Sequence, residues 1–350
     1  MTSVIAATWP EWKPVKVIGE GSFGKVYLCT KKEHTLHVSA AVKVITIPKN
    51  QMELERLVAQ NMSQQSIREH YLNIVDNCVN EIQIMETVKG APHIVHIEDF
   101  KVIERTDAFG WYILIRMELL KSLPEVLQSR PLTYREKAQI GIDMCTALSA
   151  CHKNRILHRD VKPANIMMSK NGGYKLADFG ISFCRDITQS EMDLIGTSLY
   201  MAPESFTSTQ YNERADIYSL GLVLYQLFNQ NYPPFIPIRN QEATEEEKRY
   251  SIACRRKGQP LSLPMNAGPA MAQVILTACA FSPENRFVSA EQMRLALMSA
   301  QQSDAQNMPH GGYVSEPPAQ QNKKSVLVLS IIAAALSVLI IIMFYLYFFQ

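Results

Sequence analysis

The stretch from His158 to Gly180, HRDVKPANIMMSKNGGYKLADFG, constrains the fold of this 350-residue chain more than any other segment. Its middle part, IMMSKNGGYKLA, predicts a strand, a Gly-Gly turn and a second strand, so the chain reverses direction there. Asp160 and Asn165 before the hairpin can therefore face Asp178 after it. Their oxygens are ligands that Mg²⁺ accepts, usually together with substrate phosphates and water. A surface hairpin with turn-forming Asp and Asn would explain any one of these residues, but not the whole string.

Composition narrows the class of protein. Hydrophobic residues make up 47% of the chain and charged residues 19%, which is enough apolar material for a real core. The net charge of +2 offers no electrostatic argument for binding nucleic acid or a strongly acidic partner. The seven cysteines are scattered without a C-x-x-C pair, which favours reduced thiols in a cytosolic compartment. Residues 1–11 lack the regions of a signal peptide and are predicted to be an N-terminal tail.

Three glycines interrupt the first predicted strands. Gly19, Gly21 and Gly24, followed by Val26, fit the pattern G-x-G-x-x-G-x-V. A β-rich run follows them, so we predict a strand–turn–strand hairpin whose backbone N–H groups can approach phosphate oxygens. Lys43 lies further on in the apolar run AAVKVI, where an isolated ammonium is costly unless it has a partner or extends to water.

Helical periodicity appears in three places. Residues 48–66 are polar and are predicted to be a loop, and a helix is predicted from about Ser66 to Lys89. A core helix is predicted over residues 134–154, and a closing helix with Ser289 as its N-cap. The apolar positions of the core helix are Ile140, Met144, Ala147, Leu148 and Cys151.

These motifs, in this order and spacing, resemble those of protein kinases over about residues 12–298. His158–Asp160 matches the HRD motif, and the segment from Asp178 matches DFG. Lys162, within HRDVKPAN, is typical of Ser/Thr kinases. The resemblance implies a bilobal α+β fold with a small β-rich lobe that contains one key helix, and a larger helical lobe. The predicted boundaries are 12–117 for the small lobe, 118–121 for the hinge and 122–298 for the large lobe.

The resemblance also implies a site for ATP and for Mg²⁺ or Mn²⁺. Asn165 and Asp178 are the implied metal ligands, and Asp160 and Lys162 the catalytic residues. Glu69, Glu81 and Glu86 are candidates to hold Lys43, and Glu81 is preferred because it shares a face with Ile74, Cys78 and Met85. Met117 is the implied gatekeeper, and the backbones of Glu118 and Leu120 are implied to bond adenine. The implied ATP-binding residues are Ile18, Gly19, Glu20, Gly21, Ser22, Phe23, Gly24, Lys25, Val26, Ala41, Lys43, Glu81, Glu118, Leu120 and Met167.

The segment after the hairpin resembles a kinase activation segment that ends in GTSLYMAPE. Thr188 and Ser190 are candidate phosphosites that Arg159 could pair with, although ordinary loop hydroxyls are an equally good reading. Thr197 falls at the family's substrate-binding position. Asp216 is implied to order the catalytic loop, and Arg286 to pair with Glu204.

The C-terminal region contains a polar segment followed by an uncharged apolar segment. Residues 299–324 are rich in Gln, Asn, Ser, Gly and Pro and are predicted to be a flexible linker. Residues 325–349 follow, and an uncharged helix from Val326 to Phe349 would span about 36 Å, enough to cross a bilayer. Lys323 and Lys324 favour a cytoplasmic position for the preceding domain. The combination resembles bacterial membrane-tethered Ser/Thr kinases, and because nothing sizeable follows the span we expect a tail-anchored enzyme without an external sensor domain.

The function expected from the sequence is ATP-dependent phosphorylation of protein Ser/Thr hydroxyls at a membrane surface, including autophosphorylation. A membrane-anchored pseudokinase scaffold is the main alternative, and it predicts damage to Lys43, Asp160, Asn165 or Asp178. A kinase-like enzyme acting on small molecules conflicts with the complete GTSLYMAPE segment. Nucleic acid is not an expected partner, and homodimer formation stays open.

Overall fold

The computed structural model describes residues 2–21, 24–178, 198–208, 212–239 and 241–307. The chain divides into two compact units, residues 1–304 and residues 305–350. Within the described residues, no helix has both the length and the apolar character needed to cross a bilayer. The predicted transmembrane segment 325–349 lies outside the described residues.

The small lobe is built on an antiparallel sheet of five strands in the order β1–β2–β3–β5–β4. The predicted strand–turn–strand hairpin around the glycine motif corresponds to β1 and β2. Their bounds are β1 (Lys13–Gly21), β2 (Gly24–Glu33), β3 (Leu36–Ile47), β4 (Ile97–Glu104) and β5 (Trp111–Glu118).

Each face of this sheet has its own core. One face packs against the predicted long helix, α3 (Gln64–Thr87), through side chains such as Ile74 and Cys78. The other face is covered by a short helix, α1 (Thr2–Thr8), together with Trp9 and Trp12. The prediction of a tail at residues 1–11 is therefore wrong, since Ile5 is 0% exposed and Trp9 only 5% exposed. A helix of seven residues with one buried side chain, Ile5, is too short for a periodicity signal.

The predicted loop at residues 48–66 is also partly wrong, because it contains a helix, α2 (Gln51–Ala59). The Asn50 side chain caps this helix by accepting a hydrogen bond of 3.0 Å from the Glu53 N–H. Leu54 and Leu57 pack against the core beneath the sheet. The cap and these two leucines stabilise a helix whose sequence, QMELERLVA, mixes charged and apolar residues.

The large lobe is mainly helical and begins at a second, three-stranded sheet, β6–β7–β8. The core helix α5 is buried at all five predicted apolar positions. The elements are β6 (Lys121–Ser122), α4 (Leu123–Ser129), α5 (Tyr134–Lys153), β7 (Ile166–Met168), β8 (Tyr174–Leu176), α6 (Arg214–Phe228), α7 (Glu245–Arg256), α8 (Pro269–Ala278) and α9 (Ala290–Asn307). The six cysteines among the described residues are buried and form no disulfide, and Cys184 lies outside those residues.

The closing helix α9 runs through Asn307, so the linker predicted from residue 299 does not begin there. The reason is Asp304, which is 2% exposed. Its carboxylate accepts hydrogen bonds from the N–H groups of Ala270 (3.1 Å) and Met271 (3.0 Å), at the start of α8. It also accepts one of 2.6 Å from the Tyr134 hydroxyl. One buried cap thus keeps a polar, linker-like sequence helical. Residues 308–324 of the predicted linker lie outside the described residues.

Candidate active site

The predicted hairpin after Asn165 is present and positions the acidic residues. β7 and β8 pair antiparallel, with Ile166 opposite Leu176. Gly172 at the turn has a φ of 85°, a conformation that favours glycine. Asp178 also has a positive φ, 55°, which is uncommon outside glycine and tends to occur at functional sites. Asp160, Asn165 and Asp178 all line one cleft of about 480 Å³.

Asp160 is held by its neighbours in the catalytic loop. The Asn165 amide nitrogen donates 2.8 Å hydrogen bonds to both the main-chain oxygen and the Oδ2 of Asp160. Both partners are acceptors, so the nitrogen must face Asp160 and the Asn165 oxygen is left for another ligand. The Lys162 ammonium lies 3.1 Å from Asp160 Oδ2. Asp160 and Asn165 are 8% and 5% exposed, so the pair is fixed and nearly dry.

A buried network beneath the loop sets its backbone conformation. Asp216, at the start of α6 and 2% exposed, accepts hydrogen bonds from the N–H groups of His158 (2.9 Å) and Arg159 (2.8 Å). His152 Nε2 lies 2.9 Å from the same carboxylate. Burial alone would raise the pKa of Asp216, but the hydrogen bond and charge of His152 and the neighbouring His158 lower it below 3.8. The implied role of Asp216 in ordering the loop is therefore confirmed.

His158 joins the two halves of the stretch. Its Nδ1 accepts a 3.2 Å hydrogen bond from the Asp160 N–H, and its Nε2 lies 2.9 Å from the Ala177 carbonyl oxygen. These partners require a neutral ring with the proton on Nε2. Burial accordingly lowers the pKa of His158 below 6.5, although Asp216 and Asp160 oppose the shift.

The Lys43 ammonium forms an ion pair with the Asp178 carboxylate, with 2.8 Å between Nζ and Oδ1. The pair of Lys43 with Glu81 that the resemblance implies stays a prediction. The preference for Glu81 as the inward acid of α3 holds, since it is 9% exposed on the apolar face of the helix. Burial alone would raise the pKa of Asp178, but the charge and hydrogen bond of Lys43 lower it, so the carboxylate stays anionic. Asp178 lies within hydrogen-bond distance of the Lys43 ammonium.

The glycine motif forms the predicted hairpin between β1 and β2. Gly24 has a φ of 128°, and a Cβ there would lie 2.0 Å from the Val44 carbonyl oxygen, so only glycine fits. At Gly19 a Cβ would make ordinary contacts of 3.6 Å with Val26. Lys25 pairs with Glu20 at 3.0 Å across the hairpin. Of these two positions, only Gly24, where the hairpin packs against β3, must be glycine.

Most of the implied nucleotide-binding residues line the cleft, and the sequence reasoning missed a few. Lys25 and Glu81 are not among the lining residues, Gly21 is described only as the last residue of β1, and Ser22 and Phe23 lie outside the described residues. Those that do line it are Ile18, Gly19, Glu20, Gly24, Val26, Ala41, Lys43, Met117, Glu118, Leu120 and Met167, together with Asp160, Lys162, Asn165 and Asp178. The missed residues are Val95, Ser122, Glu125, Ala164 and Ala177. Apart from Glu125 they are small or apolar, and nothing in their local sequence marks them.

The Glu118 carboxylate ties the hinge to both sides of the cleft. It accepts hydrogen bonds of 2.7 and 2.8 Å from the Lys175 ammonium on β8. It also accepts one of 2.8 Å from the His96 N–H, just before β4. The side chain of this residue therefore has a positioning role that its place in an apolar strand did not suggest.

The end of the activation segment is anchored as implied. Arg286 is 4% exposed, and its guanidinium donates to both oxygens of Glu204, at 2.6 and 2.8 Å. This bidentate pair is confirmed. The candidate phosphosites Thr188 and Ser190, and also Thr197, lie outside the described residues.

Comparison with known proteins agrees with this geometry. The family model described as "protein kinase domain" matches residues 12–296. The chain is 35% identical to serine/threonine-protein kinase PknB of Mycolicibacterium smegmatis over 300 residues, which are 84% of this chain and 43% of that protein. It is 34% identical over 215 residues to PknB of Mycobacterium leprae, covering 59% of this chain and 33% of the relative.

A relative from a distant organism matches as well. Serine/threonine-protein kinase 36 of Pongo abelii is 34% identical over 229 residues, 63% of this chain and 15% of that protein. The chain spans less than half the length of each of these three relatives.

Proposed function

Because this chain belongs to the protein kinase family, we propose that it transfers the γ-phosphate of ATP to Ser and Thr hydroxyls of proteins. One observation carries the proposal: Lys43, Asp160, Asn165 and Asp178 line the same cleft although they come from separate elements of the chain. A pseudokinase scaffold would be expected to lack at least one of these four groups. All are present and converge, so the enzyme is the better supported of the two functions.

The chain's own residues account for the transfer. Asp160, held by Asn165 and by the buried Asp216 network, is placed to orient the substrate hydroxyl and accept its proton. Lys162, 3.1 Å from Asp160, offsets negative charge on the transferred phosphoryl group. Because these groups are fixed beforehand, little reorganisation is needed when the substrate binds.

The cleft fits a nucleotide as well. Its walls are apolar where a base would lie, with Val26 and Ala41 on the small-lobe side and Met167 on the large-lobe side. The backbones of Glu118 and Leu120 follow at the hinge, where a base edge would be bonded. Lys43 supplies the positive charge for the phosphates.

The metal proposed for the site is Mg²⁺, or Mn²⁺ in its place. The donor set fits a hard cation, since the Asn165 oxygen is available and Asp178 is anionic, and both line the cleft. When bound, such a cation neutralises phosphate charge during the transfer. Asp178 is 42% exposed, so its carboxylate can exchange Lys43 for a cation at modest cost.

We further propose that residues 325–349 attach the protein to a membrane, with the kinase domain on the cytoplasmic side. The uncharged apolar run and the preceding Lys323 and Lys324 support this proposal. Replacing two central leucines or isoleucines of the run by arginine should release the protein from membranes in alkaline extraction. Release of the unaltered chain by alkali alone would refute the attachment.

Activity can be tested on the full chain in mild detergent, with labelled ATP, Mg²⁺ and dephosphorylated casein. We expect phosphate on Ser and Thr of casein and of the protein itself, and a loss of about 10³-fold in Asp160→Asn. If the unaltered protein transfers no more phosphate than Asp160→Asn, the proposed function is wrong. Label found on small molecules instead of protein would favour the small-molecule enzyme. Mapping of the modified sites would also test Thr188 and Ser190.

A further inference from the structure

The last turn of α7 contacts the segment that leads into the APE motif. Arg255, which is 2% exposed, donates three hydrogen bonds to main-chain carbonyl oxygens of that segment. The acceptors are Met201 (3.0 Å), Ser198 (3.3 Å) and Leu199 (2.8 Å). One side chain therefore fixes the backbone of residues 198–201 from a helix that lies more than 50 residues further along the chain.

Burying a guanidinium among neutral acceptors needs a reason. Removal of a charged group from water is costly unless its hydrogen bonds are replaced. Here three of the partners are carbonyl oxygens of an irregular segment, which themselves need donors, and the Tyr218 hydroxyl is a further partner. The planar fork of arginine can serve several acceptors at once, whereas a lysine ammonium is a point donor on a flexible stem. The contact is therefore specific to arginine.

Two more arginines hold the same region. The guanidinium of Arg256, the next residue, lies 5.0 Å from the ring centre of Phe206. Arg286 binds both oxygens of Glu204. Residues 198–206 are thus contacted at both ends, and Arg255 is the residue that hydrogen-bonds the carbonyl oxygens of residues 198, 199 and 201.

We propose that Arg255 is a positioning residue for the protein substrate. The inference rests on the proposed function, since in kinases the segment resembling GTSLYMAPE shapes the protein-substrate site. Arg255 is absent from the residues that line the nucleotide cleft, whose binding groups lie on other elements. Loosening residues 198–201 should therefore weaken protein binding and leave ATP binding unchanged.

The test compares Arg255→Met and Arg255→Lys with Lys248→Met in the full chain, using casein and ATP. Lys248 lies on the same helix and pairs with Glu245 at its surface, so it serves as the matched control. Arg255→Met should raise KM for casein about tenfold and leave KM for ATP unchanged, because several charge-assisted hydrogen bonds are lost. The casein KM of Arg255→Lys should lie between those of Arg255→Met and the unaltered protein. Lys248→Met should match the unaltered protein in both KM values.

Amide exchange provides a second readout that does not depend on activity. Residues 198–206 should exchange faster in Arg255→Met, while residues of α5 should keep their protection. An unchanged casein KM in a folded Arg255→Met protein, or equal rises of both KM values, would overturn the inference. If Arg255→Met does not fold, an unchanged casein KM in Arg255→Lys overturns it. Absence of transfer by the unaltered chain would refute the proposed function alone, and the exchange rates would still decide the role of Arg255.

Discussion

On the small-lobe side of the cleft, Lys43 pairs with a carboxylate that is 42% exposed, whereas on the large-lobe side Asp160 and Asn165 lie within buried hydrogen bonds. Lys43 reaches Asp178 across the cleft through one contact of 2.8 Å. Asp160 is fixed by the Asn165 amide, and its loop by Asp216. The two sides therefore hold their functional groups in different ways.

The difference follows from the chemistry required of each side. A group that orients a substrate hydroxyl must be in place before the substrate arrives, and buried hydrogen bonds provide that preorganisation. A group that binds phosphates must give up its partner when they bind. The Asp178 side chain is 42% exposed, so water can solvate it when it gives up Lys43, and the phosphates then become the partner of the Lys43 ammonium, whose side chain is 8% exposed. Three predictions test this contrast.

The largest combined effect is expected from Asp216→Ala. The substitution leaves the N–H groups of His158 and Arg159 without their acceptor. Each unsatisfied buried donor costs about 1–3 kcal/mol, so the loss of the acceptor for both should lower the free energy of unfolding by about 2–6 kcal/mol. Displacement of Asp160 should lower kcat about 100-fold. Urea denaturation and steady-state kinetics measure the two losses.

The exposed acid Asp76 on α3 offers a matched control, and Asp76→Ala should leave both quantities unchanged. Asp216→Asn retains one acceptor oxygen and should give an intermediate result. Full activity in Asp216→Ala would mean that the loop is ordered without the buried network.

The second prediction concerns the small-lobe side. Lys43→Met should lower kcat about 100- to 1000-fold, because the charge that orients the phosphates is lost. The free energy of unfolding should change by less than about 1 kcal/mol, since the Asp178 side chain is 42% exposed and methionine retains the apolar stem. Steady-state kinetics measures kcat, and thermal or urea denaturation of the purified variant measures the free energy of unfolding.

Lys25→Met is the control, because Lys25 pairs with Glu20 on the glycine hairpin and does not line the cleft. It should retain nearly full activity. If Lys43→Met destabilises the protein as much as Asp216→Ala does, the two sides of the cleft are held in the same way and the contrast is wrong.

The smallest effect is a pH dependence that comes from His158. Its pKa in the folded protein lies below the ordinary value of 6.5 that it has in the unfolded chain. At a pH between the pKa values of the two states, the unfolded chain therefore binds more protons than the folded protein. The free energy of unfolding should therefore fall as the pH decreases below 6.5, by at most about 1.4 kcal/mol per pH unit for this group.

Urea denaturation between pH 7.5 and 5 should give a shallower slope for His158→Gln than for the unaltered protein. The other seven of the eight histidines are common to both proteins, so the difference in slope belongs to His158. Parallel curves would show that His158 is not kept neutral by its buried site.

Much of the fold could be predicted because periodicity is local. The β-rich runs around the glycines predicted β1 and β2, and the apolar stripes predicted α3 and α5, because each of these signals lies within a short stretch of the chain. The three misjudged segments were α1, α2 and the end of α9. In each of them a few tertiary contacts outweigh a polar or short sequence, such as the Asp304 cap on α8.

The candidate site likewise contains residues that could be predicted from the sequence and residues that could not. Lys43, Asp160, Asn165 and Asp178 could be named from motif spacing, and all four line the cleft. The small and apolar lining residues could not, because a side chain such as Ala164 or Ala177 carries no chemical signal. Arg255 and the Glu118–Lys175 contact were missed because their partners lie far away in sequence.

By itself the sequence determined which residues are candidates for the proposed phosphoryl transfer, because that reaction requires particular functional groups at particular spacings. Only the tertiary structure decided which of those groups meet. Lys43 and Asp178 are 135 residues apart, and their pairing depends on how β3 and the loop after β8 pack across the cleft. Pair formation between distant residues is set by packing geometry and competition between partners, neither of which is written in any local pattern.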